Sequence, residues 1–334
     1  MIFRPTYPLL CVCAGLLFAP AASAQQAEKE LTARARVFTE VGPGMRSIAK
    51  DHSGRYYILT APGPAVILYD PAGQRIGQIP GATTGSPSAK QAALVFGDDM
   101  DVDAAGRVYV ADRGGNAVKV YGPDGSLLFS VPVVSPSSVV ALGADEFAVA
   151  GMKMSRLVTV YNFKGNVVRE FGDPSEAAER QALKQYLNIG RLATDPAGGI
   201  YYAFSYLPEP TVRKYDRYGY AAYEAVQETL DFYPVAQAAR REIWKQDAGG
   251  KAPVLKPTVT ALAVDPATQE LWMAVGGTLL HFDKDGNRRG SYRTYTPEGA
   301  RIESVAILVE PNRLLLAADP LGIYEFARPD KIVP

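Results

Sequence analysis

Residues 100–130 read MDVDAAGRVYVADRGGNAVKVYGPDGSLLFS, and their punctuation predicts four short strands. An apolar run ends in the turn Asp103-Ala104-Ala105-Gly106, and the alternating strand Val108-Tyr109-Val110 follows. The loop Asp112 to Asn116 leads to a strand from Val118 to Tyr121, and the turn Pro123-Asp124-Gly125 leads to Leu127-Leu128-Phe129. Gly and Asp at each reversal supply the backbone freedom and the local acceptor that tight turns need. The unit is therefore expected to be a four-stranded antiparallel sheet.

Working outward, the same unit recurs along the chain, the mark of a repeat fold. The turns Asp51-His52-Ser53-Gly54 and Asp70-Pro71-Ala72-Gly73 bracket one copy. Phe147-Ala148-Val149-Ala150 with Asn162-Phe163-Lys164-Gly165 marks another. Asp195-Pro196-Ala197-Gly198 with Asp216-Arg217-Tyr218-Gly219 marks a third, and Asp265-Pro266-Ala267 with Asp283-Lys284-Asp285-Gly286 a fourth. The last copy, from Glu310 to Phe326, stops one strand short. A ring of sheets leaves no open edge if its last sheet borrows a strand from the other terminus, and Ala35-Arg36-Val37-Phe38-Thr39 has the length and β-propensity for that. The expected fold is all-β: a six-bladed β-propeller of four-stranded antiparallel blades, with two short helical inserts.

The unit at 100–130 resembles the NHL repeat: an apolar strand, Asp-x-x-Gly, then an aromatic strand ending in Val-x-Asp, here Val108-Tyr109-Val110-Ala111-Asp112. The other copies match in their turns and strands only. The resemblance spans nearly all of the chain after residue 24. It implies the fold and only weakly an activity, because propellers host scaffolds, lyases, lactonases and dehydrogenases alike.

The first residues read as a targeting segment, 1–24, ahead of a single propeller, 25–334. Arg4 supplies a positive start, Leu9 to Phe18 an apolar stretch too short to span a bilayer, and Ala22-Ser23-Ala24 a peptidase site. A mature chain starting at Gln25 and a periplasmic or secreted location are expected. Cys11 and Cys13 leave with that segment, so no thiolate metal site is expected. Val12 before Cys13 and Leu10 before Cys11 argue against lipidation.

Hydrophobic residues make up 47% and charged residues 21%, as in a folded globular protein. Lys plus Arg equals Asp plus Glu at 35 each, so no global field favours nucleic acid or an anionic membrane. No later run is long and apolar enough for a membrane span, and a monomer is expected.

Blade topology orients the search for a site. The first-to-second and third-to-fourth turns share one face, here the far face. The second-to-third loops and the links between blades share the other, the loop face. Three links are long: Pro80 to Gly97, Asp173 to Asn188 and Gln227 to Pro257. The second predicts a helix capped by Asp173 with Pro174 at its first position, and the third a helix from Pro234 to Asp247 stopped by Gly249-Gly250. They serve either as caps over the blades or as a lid on the central funnel.

His52 falls in a far-face turn and His281 in a strand, so neither suits a His-based metal site or a catalytic triad. Asp98, Asp99, Asp101 and Asp103 cluster on the inner strand of the second blade. Asp99 and Asp101 share a strand face, and Asp101 stands where other blades carry Ala49, Ala193 and Ala263. They are the possible ligands for Ca2+ or another divalent cation. Against this stands a pair of acids solvated in the channel, since a hard cation wants about six oxygens. Arg46, Arg113, Arg156 and Arg191 gather at the funnel mouth. There they would take carboxylate or phosphate groups, or pair with nearby acids such as Asp98 and Asp112. Tyr206, in the loop Ser205 to Pro210, is a candidate for a partner surface.

Two functions compete. The first is a non-catalytic binding or scaffold propeller that recognises a protein, peptide or glycan on its loop face, supported by neutral charge and no catalytic motif. The alternative is a divalent-metal-dependent hydrolase of the gluconolactonase (lactonase) type, but that family's metal-binding Glu and Asn motifs find no match here. A quinone-dependent dehydrogenase would need a funnel histidine.

Overall fold

The computed structural model describes residues 28–63, 65–80, 87–143, 145–152, 155–227 and 233–331. The expected targeting segment lies outside these residues. Among them, six sheets form the blades of a ring.

Blade 1 is β3 (Met45–Lys50), β4 (Tyr56–Thr60), β5 (Ala65–Tyr69) and β6 (Arg75–Ile79), and blade 2 is β7 (Gly97–Val102), β8 (Val108–Asp112), β9 (Ala117–Tyr121) and β10 (Leu127–Pro132). Blade 3 is β11 (Pro136–Leu142), β12 (Glu146–Gly151), β13 (Val158–Asn162) and β14 (Val167–Phe171), and blade 4 is β15 (Gly190–Thr194), β16 (Ile200–Phe204), β17 (Thr211–Tyr215) and β18 (Ala221–Val226). Blade 5 is β19 (Val259–Val264), β20 (Leu271–Val275), β21 (Thr278–Phe282) and β22 (Arg288–Tyr295), and blade 6 is β23 (Ala306–Val309), β24 (Arg313–Ala318) and β25 (Gly322–Ala327). Each of these strands is antiparallel to its chain neighbour within the blade.

The middle strands are buried on both faces, because each blade packs between two others. In β8, Val108 and Val110 join Tyr57, Leu59 and Val66 of blade 1, while Tyr109 and Ala111 join Val139, Phe147 and Val149 of blade 3. Period-two alternation thus feeds two separate cores, and the strand reads as a continuous apolar run. The same division gives one apolar cluster at each of the six blade junctions.

The ring closes as the repeat arithmetic requires. β2 (Ala35–Val37) pairs antiparallel with β25, in the register Ala35↔Glu325 and Val37↔Ile323. An additional strand was not foreseen: β1 (Lys29–Thr32) runs parallel to β22 and makes blade 5 five-stranded. Ala33, between them, is buried in the core shared by blades 5 and 6. One N-terminal stretch therefore closes two outer edges, which removes unpaired strand groups. A buried Arg328 pairs with Asp265 at 2.6 Å and ties blade 6 to blade 5, while Gly44 N–H donates to Asp319 Oδ1 at 2.6 Å and ties blade 1 to blade 6.

The far-face turns repeat one device. Asp51, Asp103, Asp195 and Asp265 each accept from the backbone N–H groups of the turn they open. Asp103 also accepts from Arg107 Nε at 2.6 Å and from the Tyr109 hydroxyl at 2.8 Å. Gly106 closes that turn at φ +76°, a conformation that side chains resist. Asp51 shows the electrostatic consequence. Burial alone would raise its pKa, but bonds from Ser53, Arg55 and Tyr57 hold the carboxyl at about 2.

Two helical expectations need correction. The link 173–188 does not start its helix at Asp173-Pro174; α2 runs Gln181–Leu187. The N–H groups of Glu179 and Arg180, just before the helix, bond to the Asp247 carboxylate at the end of another helix, so a tertiary neighbour holds the approach to α2. Asp173 pairs with Arg156. Among the described residues the helical inserts also number three, because α1 (Pro87–Ala92) forms within the first link. The third insert holds α3 (Tyr233–Asp247), one residue longer than expected. No described helix is long and apolar enough to cross a membrane.

Candidate functional site at the mouth of the axial channel

The six inner strands β3, β7, β11, β15, β19 and β23 enclose a channel of about 410 Å³. Its wall is mixed, with apolar surface from Ile48, Ala193, Leu262 and Ile307 among others and nearly as much polar surface, and its loop-face end carries Arg46, Ser47, Asp99 and Arg191. Lys50 and Glu310 pair at the far end, joined by Arg313 and the Tyr56 hydroxyl.

Both β7 carboxylates that line the channel are committed to a blade junction. Asp99 accepts from Ser138 Oγ of blade 3 and from its neighbouring Met100 N–H at 2.9 Å. Ser138 Oγ in turn accepts from Leu192 N–H at 2.9 Å, so one chain of hydrogen bonds links blades 4, 3 and 2. Asp101 accepts from Ala141 N–H at 2.9 Å and from Val102 N–H at 2.8 Å. Burial raises the pKa of both acids against these bonds, and Asp101 is pushed up to about 6.

This arrangement does not fit a divalent cation. Both oxygens of Asp101 already accept a backbone N–H, and Asp99 spends its own on Ser138 and Met100. Among the described residues no group of three His, Cys, Asp or Glu side chains converges. A hard cation wants about six oxygen ligands.

The arginines divide. Arg191 Nη1 donates to the Asp98 carbonyl at 2.9 Å and lies 3.9 Å from Asp99 Oδ1, so it braces blade 4 to blade 2 across the inner end of blade 3. Arg113 pairs with the Asp98 carboxylate at 3.3 Å. Arg156 is bound to Asp173, away from the channel lining. Arg46 stands apart. Its guanidinium lies 5.0 Å over the Phe96 ring, and its Nε is buried with no acceptor.

Phe96 was not singled out from the sequence. It collects two guanidiniums, Arg46 at 5.0 Å and Arg113 at 4.9 Å. Its position is set by Asp112, fully buried, which accepts from the N–H groups of Phe96 at 2.8 Å, Val95 at 3.1 Å and Gly115 at 3.1 Å. Lys119 neutralises that carboxylate at 2.9 Å. The Val-x-Asp ending, legible in the sequence, therefore organises the mouth. Arg46 is fifty residues from Phe96 (96 − 46), so no local pattern signals their meeting.

Tyr206 stands between the mouth and the cap, within electrostatic reach of Asp98 and Arg191. Its ring packs 4.6 Å from that of Tyr186, beside the cluster of Ala178, Leu183, Leu187 and Ile243 formed by α2 and α3. Trp244 on α3 stays exposed at the rim of a second groove that Pro208, Glu209 and Arg240 help to line. Of the histidines, His52 is exposed, and His281 is buried, stacked on Trp272 at 4.0 Å with Nε2 3.3 Å from Glu270.

Solved structures share the architecture. Virginiamycin B lyase from Staphylococcus aureus is 12% identical, with a TM-score of 0.53 over 88% of this chain and 87% of that one. Hydrazine synthase of Kuenenia stuttgartiensis is 10% identical, with a TM-score of 0.54 over 92% and 99%. A WD40 β-propeller domain is 9% identical, with a TM-score of 0.55 over 86% and 79%. At such identities the likeness is one of fold alone. No family model matches the chain, and no curated protein matches its sequence.

Proposed function

We propose that this chain is an exported, non-catalytic binding propeller of the NHL type, which holds a protein, peptide or glycan against its loop face. The asymmetry of the two faces carries this reading. Far-face turns are tight and closed by their own carboxylates. The loop face gathers the long links, all three helices, the Phe96 cluster and the open channel mouth. Loops on a rigid scaffold are where binding groups usually sit, and a concave mouth favours them. The channel carboxylates hold blade junctions rather than opening toward a reacting group, which favours binding over hydrolysis. Export rests on the segment 1–24, and intact mass of the secreted chain should place its start at Gln25.

Site-specific photo-crosslinking tests the face. Benzophenone side chains at Val95 and Trp244, both exposed on the loop face, should give discrete adducts in the native host. The same group at Tyr218 and Lys284, exposed in far-face turns, should not. Adducts from the far-face pair alone would overturn the reading.

A further inference from the structure

Three guanidiniums and two carboxylates meet at the loop-face mouth. Asp98 answers Arg113, and Asp99 with the Asp98 carbonyl answers Arg191. Arg46 is left with one positive charge and no ion pair among the described residues. Its Nε is shielded from water and has no acceptor, an arrangement that costs free energy until an acceptor arrives. The Phe96 ring holds the guanidinium in place, so a ligand need not order it.

The surroundings narrow the ligand. A planar guanidinium fork matches a carboxylate. Below it the shaft is lined by Ile48, Leu262 and Ile307, a wall for a hydrocarbon body. Ser47 Oγ donates to the Met100 carbonyl at 3.3 Å. In the repeat Asp99 occupies the rung of Ser47 and Asp101 that of Ala49, so they stand one and three residues below Arg46, the second about 10 Å away at strand rise. A second carboxylate at the other end of a short ligand would enter the stretch between Asp99 and Asp101.

We infer that the channel mouth is a site for a small monocarboxylic acid, with the carboxylate on Arg46 and a short aliphatic chain directed into the shaft. The site deepens the reading of the loop face as the binding face and rests on it. Dicarboxylates are disfavoured by Asp99 and Asp101, and the neutral amide by loss of the charge-assisted bonds.

The test uses butyrate, succinate and butyramide as probes on the full propeller, followed through the Nε–Hε resonances of its arginines. The Arg46 signal is assigned by its disappearance in Arg46→Lys. Butyrate should move that signal saturably, while succinate and butyramide bind at least about tenfold more weakly. Arg46→Gln should lose about tenfold or more of the butyrate affinity, and Lys164→Gln, on the far face, none. No saturable shift at tens of millimolar butyrate overturns the proposal, as does equal binding of butyramide. Should Arg46→Gln fail to fold, the three-probe series on the unmutated chain still decides. Loop-face crosslinking without a butyrate response would sink the carboxylate site and spare the binding face. A butyrate response with crosslinking only on the far face would do the reverse.

Discussion

β8 begins just after one buried carboxylate and ends on another. Asp103, on the far face, accepts from Ala105, Arg107 and Tyr109, all within six residues of it. Asp112, on the loop face, accepts from Val95 and Phe96 of the preceding link, from Gly115, and pairs with Lys119. The first closes a turn that the chain would form with its own neighbours. The second fastens an interblade link to the mouth and thereby decides where Phe96, and with it Arg46, can sit. Equal burial hides different work: local geometry on one face, assembly of a candidate site on the other.

The severest challenge to this division is at the ring closure, where neither face acts alone. Deleting residues 28–41 removes β1 and β2, opens the edges of blades 5 and 6 and takes the buried Ala33 and Val41 out of the core. The expected loss, above about 5 kcal/mol, approaches the whole stability of a domain. Cooperative thermal unfolding should vanish, and an unchanged melting temperature would show closure elsewhere.

Asp112→Ala should cost about 3 to 5 kcal/mol in denaturant unfolding, because it strands buried Lys119 and three N–H groups. It should also displace Phe96 and weaken butyrate binding. Stability lost with binding intact would break the link between Asp112 and the mouth.

A channel carboxylate and a far-face turn carboxylate should also answer pH in opposite directions. Asp101 has its folded pKa raised from 3.8 to about 6. Its contribution is fully present below about pH 4 and lost as pH rises through 6, on the order of 3 kcal/mol relative to Asp101→Asn. Asp51 has its folded pKa lowered from 3.8 to about 2. Its contribution is present above about pH 4 and lost as pH falls through 2, on the order of 2 kcal/mol relative to Asp51→Asn. Chemical unfolding of both variants across that range checks the signs, and parallel profiles would refute the contrast.

Arg46→Gln should change stability least, within about 0.5 kcal/mol, since it removes one ring contact and no ion pair among the described residues. A large loss of melting temperature would make Arg46 a structural brace like Arg191.

Much of this was legible in advance. The Asp-x-x-Gly turns, the strand lengths, the missing last strand and its replacement at Ala35 to Val37 follow from short-range chemistry and a count of repeats. The loop-face places of Arg46, Arg113 and Arg191 were legible too, from the repeat, while Arg156 turned to Asp173 instead. Their roles were not. Arg191 and Arg113 found acids and Arg46 an aromatic ring, and nothing near those residues in the chain distinguishes them. The true start of α2 escaped for the same reason, since Asp247 holds residues 179 and 180 from another insert.

The sequence by itself determined the six-bladed ring, its closure and the face on which irregular links collect, because turns and alternating strands are properties of neighbours along the chain. Only the tertiary structure decided which charges at the channel mouth are neutralised and which is left over. Charge pairing depends on distances between side chains of different blades, and the packing of sheet against sheet sets those distances.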